Sequence, residues 1–278
     1  MKYYIVDAFT DHPFGGNPAG VVILGEEAFP DEGLMTKIAA ELRFSETAFV
    51  RMLAPAEYHL RYFTPKAEVD LCGHATIAAF SLMHSLGLAV GRCRCRTLAG
   101  EICIETGDKV MMQMAEPRIV KTVSDTEPIY KALGVNSYNP PLPVQVAYAG
   151  LEDIMIPIHD VKTLNSLHPD MEAVSVLTEM HKSVSFHCFA LGEDTHTAHV
   201  RDFAPLYGIP EESATGTANA ALTHYLTVHG VIPSTGDFTF LQGETMGRPS
   251  VVATRHTADG TIYVGGNAAI VAEGELHC

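Results

Sequence analysis

The residue best suited to proton chemistry is Glu46, in the stretch FSETA at residues 44–48. A helix is predicted before this stretch and an apolar strand after it, so Phe44 and Phe49 would partly shield the carboxyl group from water. Partial burial disfavours the charged form of a carboxyl group and suits it to proton transfer near neutral pH. Taken alone, a surface glutamate in a helix-to-strand turn is the simpler interpretation.

Two glycine-led segments could bind an anion. Gly73 with His74, and Gly216 with Thr217, each precede an apolar run that predicts a helix. The N-terminus of a helix presents unpaired N–H groups and the positive end of the helix dipole. Two such ends facing one cleft would hold a carboxylate without a lysine cluster. Either glycine alone indicates only a turn, and His74 alone indicates a structural histidine.

The elements that must position these groups are short strands and two kinds of helix. Residues 31–42 place Met35, Ile38 and Leu42 at helical spacing, which predicts an amphipathic helix lying on a sheet. Residues 75–86 are apolar almost all round, which predicts a buried core helix. Short runs rich in Val, Ile, Tyr and Phe predict strands at residues 2–9, 19–24, 47–52, 58–63, 93–98, 101–106 and 109–114.

The second half of the chain echoes the first. RYFTP at 61–65 is matched by RDFAP at 201–205, and GHATIA at 73–78 by GTANAA at 216–221. In both halves a strand ends at a proline and a glycine-led turn opens an apolar helix. A chance match of common small residues is the alternative, but the shared order and spacing favour a duplicated α+β unit. Ligand sites often form where two such halves meet.

Composition and charge exclude several classes of protein. The chain has 278 residues, of which 47% are hydrophobic and 18% charged, as in a packed globular protein. Its 18 basic and 33 acidic residues give a net charge of −15, which disfavours nucleic acid and anionic membranes as partners. Because Asp7 interrupts the region that a signal peptide would need, we expect a cytoplasmic protein with reduced thiols.

The sequence offers little support for a bound cofactor. Cys93, Cys95 and Cys103 are too closely interleaved with arginines, and two of them too closely spaced, for a typical zinc site. A glycine-rich phosphate loop is not found before any predicted helix, so nucleotide chemistry has no support from a motif. The residues therefore give no motif support for a nucleotide cofactor or a bound metal.

Six further segments occur in the order of a known family. They are DAF at 7–9, FGGNPAG at 14–20, FSET at 44–47, LCGHAT at 71–76, ESATGTA at 212–218, and QG at 242–243 with MGRP at 246–249. Together they resemble the signatures of the phenazine-biosynthesis (PhzF-like) isomerase family, over nearly the whole chain. Several motifs in order are far more specific than any one of them.

This resemblance implies a diaminopimelate-epimerase-like α+β fold, with two pseudo-symmetric halves that are each a curled sheet around a central helix. The expected first half is residues 1–117 with about 265–278, and it carries Glu46 and the helix start at Gly73 and His74. The expected second half is residues 118–264, with a crossover near 115–125, and it carries the motif from Glu212 to Thr217. A homodimer is the assembly we expect.

The resemblance also implies a cofactor-independent isomerase that moves a proton on a small carboxylate-bearing metabolite. Glu46 would be the catalytic acid/base. The residues expected to bind the substrate, from the family motifs and the two helix starts, are Asn17, Gly73, His74, Glu212, Gly216 and Thr217.

Two departures from the family pattern leave alternatives open. The usual DPATGS reads ESATGT here, so Glu212 is longer and Thr217 bulkier than the family's residues, which affects the substrate. Related epimerases use two thiols as base and acid. Cys72 matches the first thiol, whereas Ser213 stands at the position of the second. A serine hydroxyl is a much weaker acid than a thiol, whose pKa is about 8.5. A Cys72-based epimerase or dehydratase of an amino or hydroxy acid remains the second enzymatic hypothesis. A non-catalytic protein that binds a small acid or a protein partner is the third.

Overall fold

The computed structural model describes residues 1–135, 140–192 and 195–278. The chain forms two compact units. Unit 1 comprises residues 1–113 and 265–278, and unit 2 comprises residues 114–264. The last residues of the chain therefore belong with the first ones.

The first part of the chain holds eight strands and two helices. They are β1 (Lys2–Ala8), β2 (Asn17–Gly25), α1 (Glu32–Leu42), β3 (Thr47–Ala54), β4 (Glu57–Phe63), β5 (Glu68–Val69), α2 (Gly73–Ser85), β6 (Gly91–Thr97), β7 (Gly100–Thr106) and β8 (Val110–Gln113). The elements that follow are β9 (Arg118–Thr122), α3 (Glu127–Ala132), β10 (Gln145–Tyr148), β11 (Glu152–Pro157), α4 (Val161–Asn165), α5 (Met171–His181), β12 (Phe186–Leu191), β13 (Ala198–Ala204), β14 (Ile209–Glu212), α6 (Gly216–Val228), β15 (Gly236–Gln242), β16 (Ser250–His256), β17 (Ile262–Gly266) and β18 (Ala268–Glu275). Short 3₁₀ turns lie at Pro205–Tyr207 and Glu244–Met246.

Helix α1 forms where the sequence predicts an amphipathic helix. The Asp31 side chain caps it by accepting a hydrogen bond from the Leu34 N–H at 3.0 Å. Met35 and Ile38 are buried on the face predicted to pack on the sheet. Arg43 ends the helix in the left-handed conformation, with φ 63°, and the chain turns directly into the FSETA stretch.

The two central helices are α2 and α6. Each has 13 residues, begins at a glycine and is buried along most of its length, since it is apolar or small on nearly every face. Helix α2 packs on β1, β2 and β8, and α6 packs on β10, β11 and β16. The predicted core helix and its echo in the second half are both present.

The strand pairing repeats between the units. In unit 1, β1–β2 is antiparallel, β2–β3 parallel, β3–β4 antiparallel, β4–β6 parallel and β6–β7 antiparallel. In unit 2, β10–β11 is antiparallel, β11–β12 parallel, β12–β13 antiparallel, β13–β15 parallel and β15–β16 antiparallel. In addition, β18 pairs with β1 and β9 pairs with β10, both antiparallel. The predicted duplication of an α+β unit is confirmed.

Unit 2 begins at residue 114, next to the segment expected to be a crossover near 115–125, and part of that segment is a strand. This segment contains β9, which pairs with β10 in unit 2. Its residues are mostly exposed, so the polar sequence that suggested a linker reflects a strand with little burial. Within the described ranges, no helix is both long and apolar enough to cross a membrane.

Candidate active site

Glu46 lies between the end of α1 and the start of β3. Strand β2 holds this turn, because the Gly20 N–H donates to the Glu46 carbonyl at 3.2 Å. A Cβ atom on Gly20 would come within 2.7 Å of the Thr47 hydroxyl, so the close approach of the two strands requires glycine. The Glu46 side chain is 17% exposed, and its Oε2 atom is buried with no hydrogen-bond partner among the described residues.

His74 is the second residue of α2 and is buried beside Glu46. Its Nε2 atom is 3.4 Å from Glu46 Oε2, which is an ion-pair distance, but the two atoms are not aligned for a hydrogen bond. The same Nε2 atom is 3.4 Å from the Ser45 hydroxyl. Its Nδ1 atom is 3.4 Å from Cys72 Sγ. Burial lowers the pKa of His74, and the negative charge of Glu46 opposes that effect only in part. The imidazole is therefore neutral at pH 7.

A neutral imidazole between a carboxyl group and a thiol can donate on one side and accept on the other. Three potential metal ligands lie within 4.8 Å of one another: a carboxylate oxygen of Glu46, the sulfur of Cys72 and a ring nitrogen of His74. Carboxylate, thiol and imidazole groups are the ligands that Zn²⁺ prefers. An ion held there would take the carboxylate oxygen as a ligand and would remove Glu46 as a free base. None of the six cysteines, all of which lie in the described ranges, forms a disulfide bond.

The helices behind both glycine motifs begin without a side-chain cap. The residue before α2 is Cys72, with φ −136° and ψ 115°, and the residue before α6 is Thr215, with φ −125° and ψ 103°. Neither side chain bonds to an amide of the first turn. The N–H groups of both first turns can therefore serve a negatively charged ligand.

The second motif is organised around the hydroxyl of Thr215. This hydroxyl donates to Glu212 Oε2 at 2.7 Å, and the Gln242 side chain donates to the Glu212 carbonyl at 2.8 Å. Ser213 is buried, and Thr217 lies against the turn at Gly150, where a Cβ atom would be 3.6 Å from its methyl carbon. The motif thus packs closely against its own unit.

Asn17 is buried at the first position of β2. The loop before it is shaped by Asp7, whose carboxylate accepts a hydrogen bond from the Phe14 N–H at 2.7 Å. Gly16 has φ 60°, and a Cβ atom there would come within 2.1 Å of the Ala8 carbonyl. Asn17 is therefore fixed three residues before Gly20, the residue that contacts Glu46.

The predicted site residues fall into two sets. Unit 1 brings together Glu46, Cys72, Gly73 and His74, and it holds Asn17 on the strand next to Glu46. Unit 2 brings together Glu212, Ser213, Gly216 and Thr217 at the start of α6. Ser45 and Thr215 were not predicted as site residues, although each lies inside a family motif.

Comparison with known proteins agrees with this architecture. Residues 6–274 match the PhzC-PhzF family, described as phenazine biosynthesis-like protein. The chain belongs to this family. An uncharacterized isomerase of Clostridium acetobutylicum is 33% identical over 98% of this chain and 97% of its own. The trans-2,3-dihydro-3-hydroxyanthranilate isomerase of Pseudomonas chlororaphis is 31% identical over 91% of this chain and 89% of its own.

A solved structure of a PhzF-family protein from Bacillus anthracis has the same fold. It is 26% identical, covers 100% of this chain and 99% of its own, and superposes with a TM-score of 0.88. The resemblance found in the sequence and the expected fold are both confirmed. As a PhzC-PhzF protein whose relatives are isomerases, the chain is an enzyme of the isomerase class.

Proposed function

We propose that this chain is a cofactor-independent isomerase that moves a proton on a small carboxylate-bearing substrate, with Glu46 as the acid/base. The observation that carries the proposal is the buried Oε2 atom of Glu46, which has no hydrogen-bond partner among the described residues and lies 3.4 Å from His74. A buried acceptor without a partner costs roughly 1–3 kcal/mol. A substrate hydrogen would supply the missing partner.

In the proposed reaction, Glu46 takes a proton from a carbon next to an unsaturated or carbonyl system. The electron pair of the broken C–H bond is delocalised into that system, and Glu46 returns the proton to a different carbon. His74 stays neutral and lies beside the carboxyl group, with its Nε2 atom 3.4 Å from Glu46 Oε2. The substrate and the enzyme each gain and lose no net proton, electron or atom over the cycle.

The backbone of the first turn of α2 supports the same reaction. Gly73 begins this helix next to the Cys72–His74 contact, and no side chain caps its amides. Preorganised N–H donors stabilise negative charge that develops on a substrate. We assign substrate binding to Asn17, Gly73 and His74 and, from unit 2, to Glu212, Gly216 and Thr217.

The experiment is hydrogen exchange of a bound carboxylate in D₂O, followed by NMR. The first probe is trans-2,3-dihydro-3-hydroxyanthranilate, the compound in the name of one relative, and a panel of small carboxylates follows. Glu46→Gln keeps the shape of the side chain but cannot carry the proton, so we expect exchange to fall roughly 10²- to 10⁴-fold with ligand binding retained. Glu41→Gln, on the exposed side of α1, is the matched control. Unchanged exchange in Glu46→Gln would remove Glu46 as the base.

A second candidate has a specific observation in its favour. Cys72 Sγ lies 3.4 Å from His74 Nδ1, an arrangement that can activate a thiol as a base. If Glu46 transfers the proton, Cys72→Ser should retain most of the exchange activity. Complete loss of exchange in a folded Cys72→Ser protein, with activity left in Glu46→Gln, would favour the Cys72-based epimerase or dehydratase.

A further inference from the structure

Unit 2 encloses a second group of ionisable side chains that the proposed reaction does not use. Asp153 on β11, His187 on β12 and Asp202 on β13 are each at most 1% exposed, as is Ser185, which directly precedes β12. The strand register places His187 opposite Asp202. Two carboxyl groups are thus enclosed together in a protein interior, where an uncompensated charge is costly.

The Ser185 hydroxyl has too few hydrogen atoms to bond to both carboxyl groups when both are ionised. The Ser185 hydroxyl lies 2.9 Å from Asp153 Oδ1 and 2.7 Å from Asp202 Oδ1. A hydroxyl has one hydrogen and can donate to only one of these oxygens. Both contacts become hydrogen bonds if Asp153 is protonated and donates to Ser185, while Ser185 donates to Asp202.

The other oxygen of Asp153 agrees with a neutral acid. Asp153 Oδ2 is buried without a hydrogen-bond partner among the described residues, which costs less for the carbonyl oxygen of an acid than for a carboxylate. Burial, with the charge of Asp202 as the second cause, raises the pKa of Asp153 to about 8. The hydrogen bonds that Ser185 would donate to the ionised form oppose this rise. Asp202, in contrast, has the partners that a carboxylate needs.

The charged groups that shift the pKa of Asp153 are Asp202 and Glu152, and both are acidic. Glu152, its neighbour on β11, also raises the pKa of Asp153, and β10 places Ala147 opposite it. His187 Nδ1 lies 2.9 Å from Asp202 Oδ1. Helix α6, which packs on β11, carries Tyr225 and His224, and the Tyr225 hydroxyl donates to the Pro143 carbonyl.

The same group reaches the second motif through Thr215. Asp202 Oδ2 is 3.3 Å from the Thr215 hydroxyl, which is 2.7 Å from Glu212 Oε2. The Gln242 amide is fixed, because its Oε1 accepts from the Thr215 N–H at 3.1 Å and its Nε2 donates to the Glu212 carbonyl. Its Nε2 also donates to the Thr215 hydroxyl at 3.1 Å, so that hydroxyl must give its one hydrogen to Glu212 or to Asp202.

We propose that Asp153, Ser185, Asp202 and Thr215 form a positioning chain, in which one buried proton directs the Thr215 hydroxyl onto Glu212. With the proton on Asp153, Asp202 is satisfied by Ser185 and His187, and Thr215 donates to Glu212. When Asp153 ionises, the Ser185 hydroxyl is drawn to it, and Asp202 takes the Thr215 hydrogen instead. Glu212 then loses this hydrogen bond. The proposal rests on the substrate-binding role assigned to Glu212, and the members of the chain act only through that residue.

The test reads the carboxyl groups directly, by ¹³C NMR of protein labelled at its Asp and Glu side chains. The signals of Asp153 and Glu212 are assigned by their loss in Asp153→Asn and Glu212→Gln. We expect the Glu212 signal of the parent to shift through the same pH transition as Asp153, near pH 8. The shift should vanish in Asp153→Asn, Ser185→Ala and Thr215→Val. If the Glu212 signal of the parent does not shift through the Asp153 transition, the proposal is overturned.

Matched controls separate a chain of hydrogen bonds from a general loss of packing. Ser183→Ala and Thr178→Val remove buried hydroxyls of the same unit, which among the described residues donate to backbone carbonyls. In both control variants, the ¹³C signal of Glu212 should still shift through the Asp153 transition. If the controls lost this shift as completely as Ser185→Ala, the proposal would be overturned.

The deuterium-exchange assay is the second readout. Losing one hydrogen bond to a charged group should weaken carboxylate binding about ten- to a hundred-fold above the Asp153 transition, and Asp153→Asn should abolish this alkaline loss. A Glu212 signal that follows Asp153 while binding and exchange do not would leave the positioning chain in place. It would instead refute the role of Glu212 in the proposed function.

Discussion

At Glu46 the fold keeps a carboxyl oxygen in a less stable state than water would give it. Its Oε2 atom is enclosed without a hydrogen-bond partner among the described residues, and the nearest ring nitrogen is 3.4 Å away without alignment. The flanking apolar residues predicted partial shielding of this group, and the structure agrees. The neighbouring imidazole could not be predicted, because His74 reaches Glu46 only through the packing of α2 against the sheet.

The charge of Glu46 should be measurable at His74. Burial lowers the pKa of His74 below the ordinary value of about 6.5, and Glu46 opposes that change, so removing the Glu46 charge should lower the pKa of His74 further. We expect this decrease in Glu46→Gln and no change in Glu41→Gln. The measurement is ¹⁵N NMR of the histidine rings, with His74 assigned from His74→Asn. A rise in the pKa of His74 in Glu46→Gln would contradict the contact.

The pH dependence of the protein's stability should also reflect His74. Because the folded protein keeps His74 neutral where a solvated histidine takes up a proton, His74 stabilises the fold above about pH 6.5. This contribution is lost as the pH falls through that value toward the lowered pKa of the folded state. Compared with the parent, His74→Asn should therefore lose less stability on acidification, as judged by urea unfolding.

The helices were more predictable from the sequence than the contacts between strands. Helix α1 follows from the spacing of Met35 and Ile38 and from its Asp31 cap, and α2 follows from its uninterrupted apolar sequence. Strand β9 was missed because a mostly exposed strand has a polar sequence like that of a linker. The group around Asp153 could not be found at all, since its members lie on three strands and share no local motif.

Gly20 shows how strand packing sets the position of Glu46. In Gly20→Ala, the new methyl group would lie 2.7 Å from the Thr47 hydroxyl and 3.0 Å from a methyl carbon of Leu42, so β3 must move away from β2. We expect a loss of about 1–3 kcal/mol in the free energy of unfolding, together with slower deuterium exchange because Glu46 is displaced. Gly107→Ala is the control, since nothing lies within 4 Å of its added methyl group. Equal stability of the two variants would argue against this close approach.

The repeated order of strands in the two units explains why the sequence echoes predicted the architecture. The matched segments at 61–65 and 201–205 lie where β4 and β13 end, and each strand then pairs in parallel with the strand after a central helix. A duplicated topology needs the same turns at the same places, so short motifs persist in both halves. The return of the chain end to unit 1 was implied by the family resemblance, because the terminal residues alone carry no such signal.

The last strand should be essential to unit 1. Strand β18 pairs with β1 from Lys2 opposite Glu275 to Ala8 opposite Ala268, and β1 in turn pairs with β2, the strand that carries Asn17 and Gly20. A chain ending at Asn267 would leave one side of β1 without its ladder. At about 1 kcal/mol net for each backbone hydrogen bond, we expect a loss of at least about 3 kcal/mol in the stability of unit 1, and with it the loss of deuterium exchange.

Amide hydrogen exchange locates the effect, since protection should fall in β1 and β2 and persist in β11 and β12 of unit 2. A chain that lacks only His277 and Cys278 is the control and should match the parent. If deletion of β18 left the protection of β1 unchanged, the ladder between these strands would not stabilise unit 1, and the folding of this half would have to depend on α2 and its core.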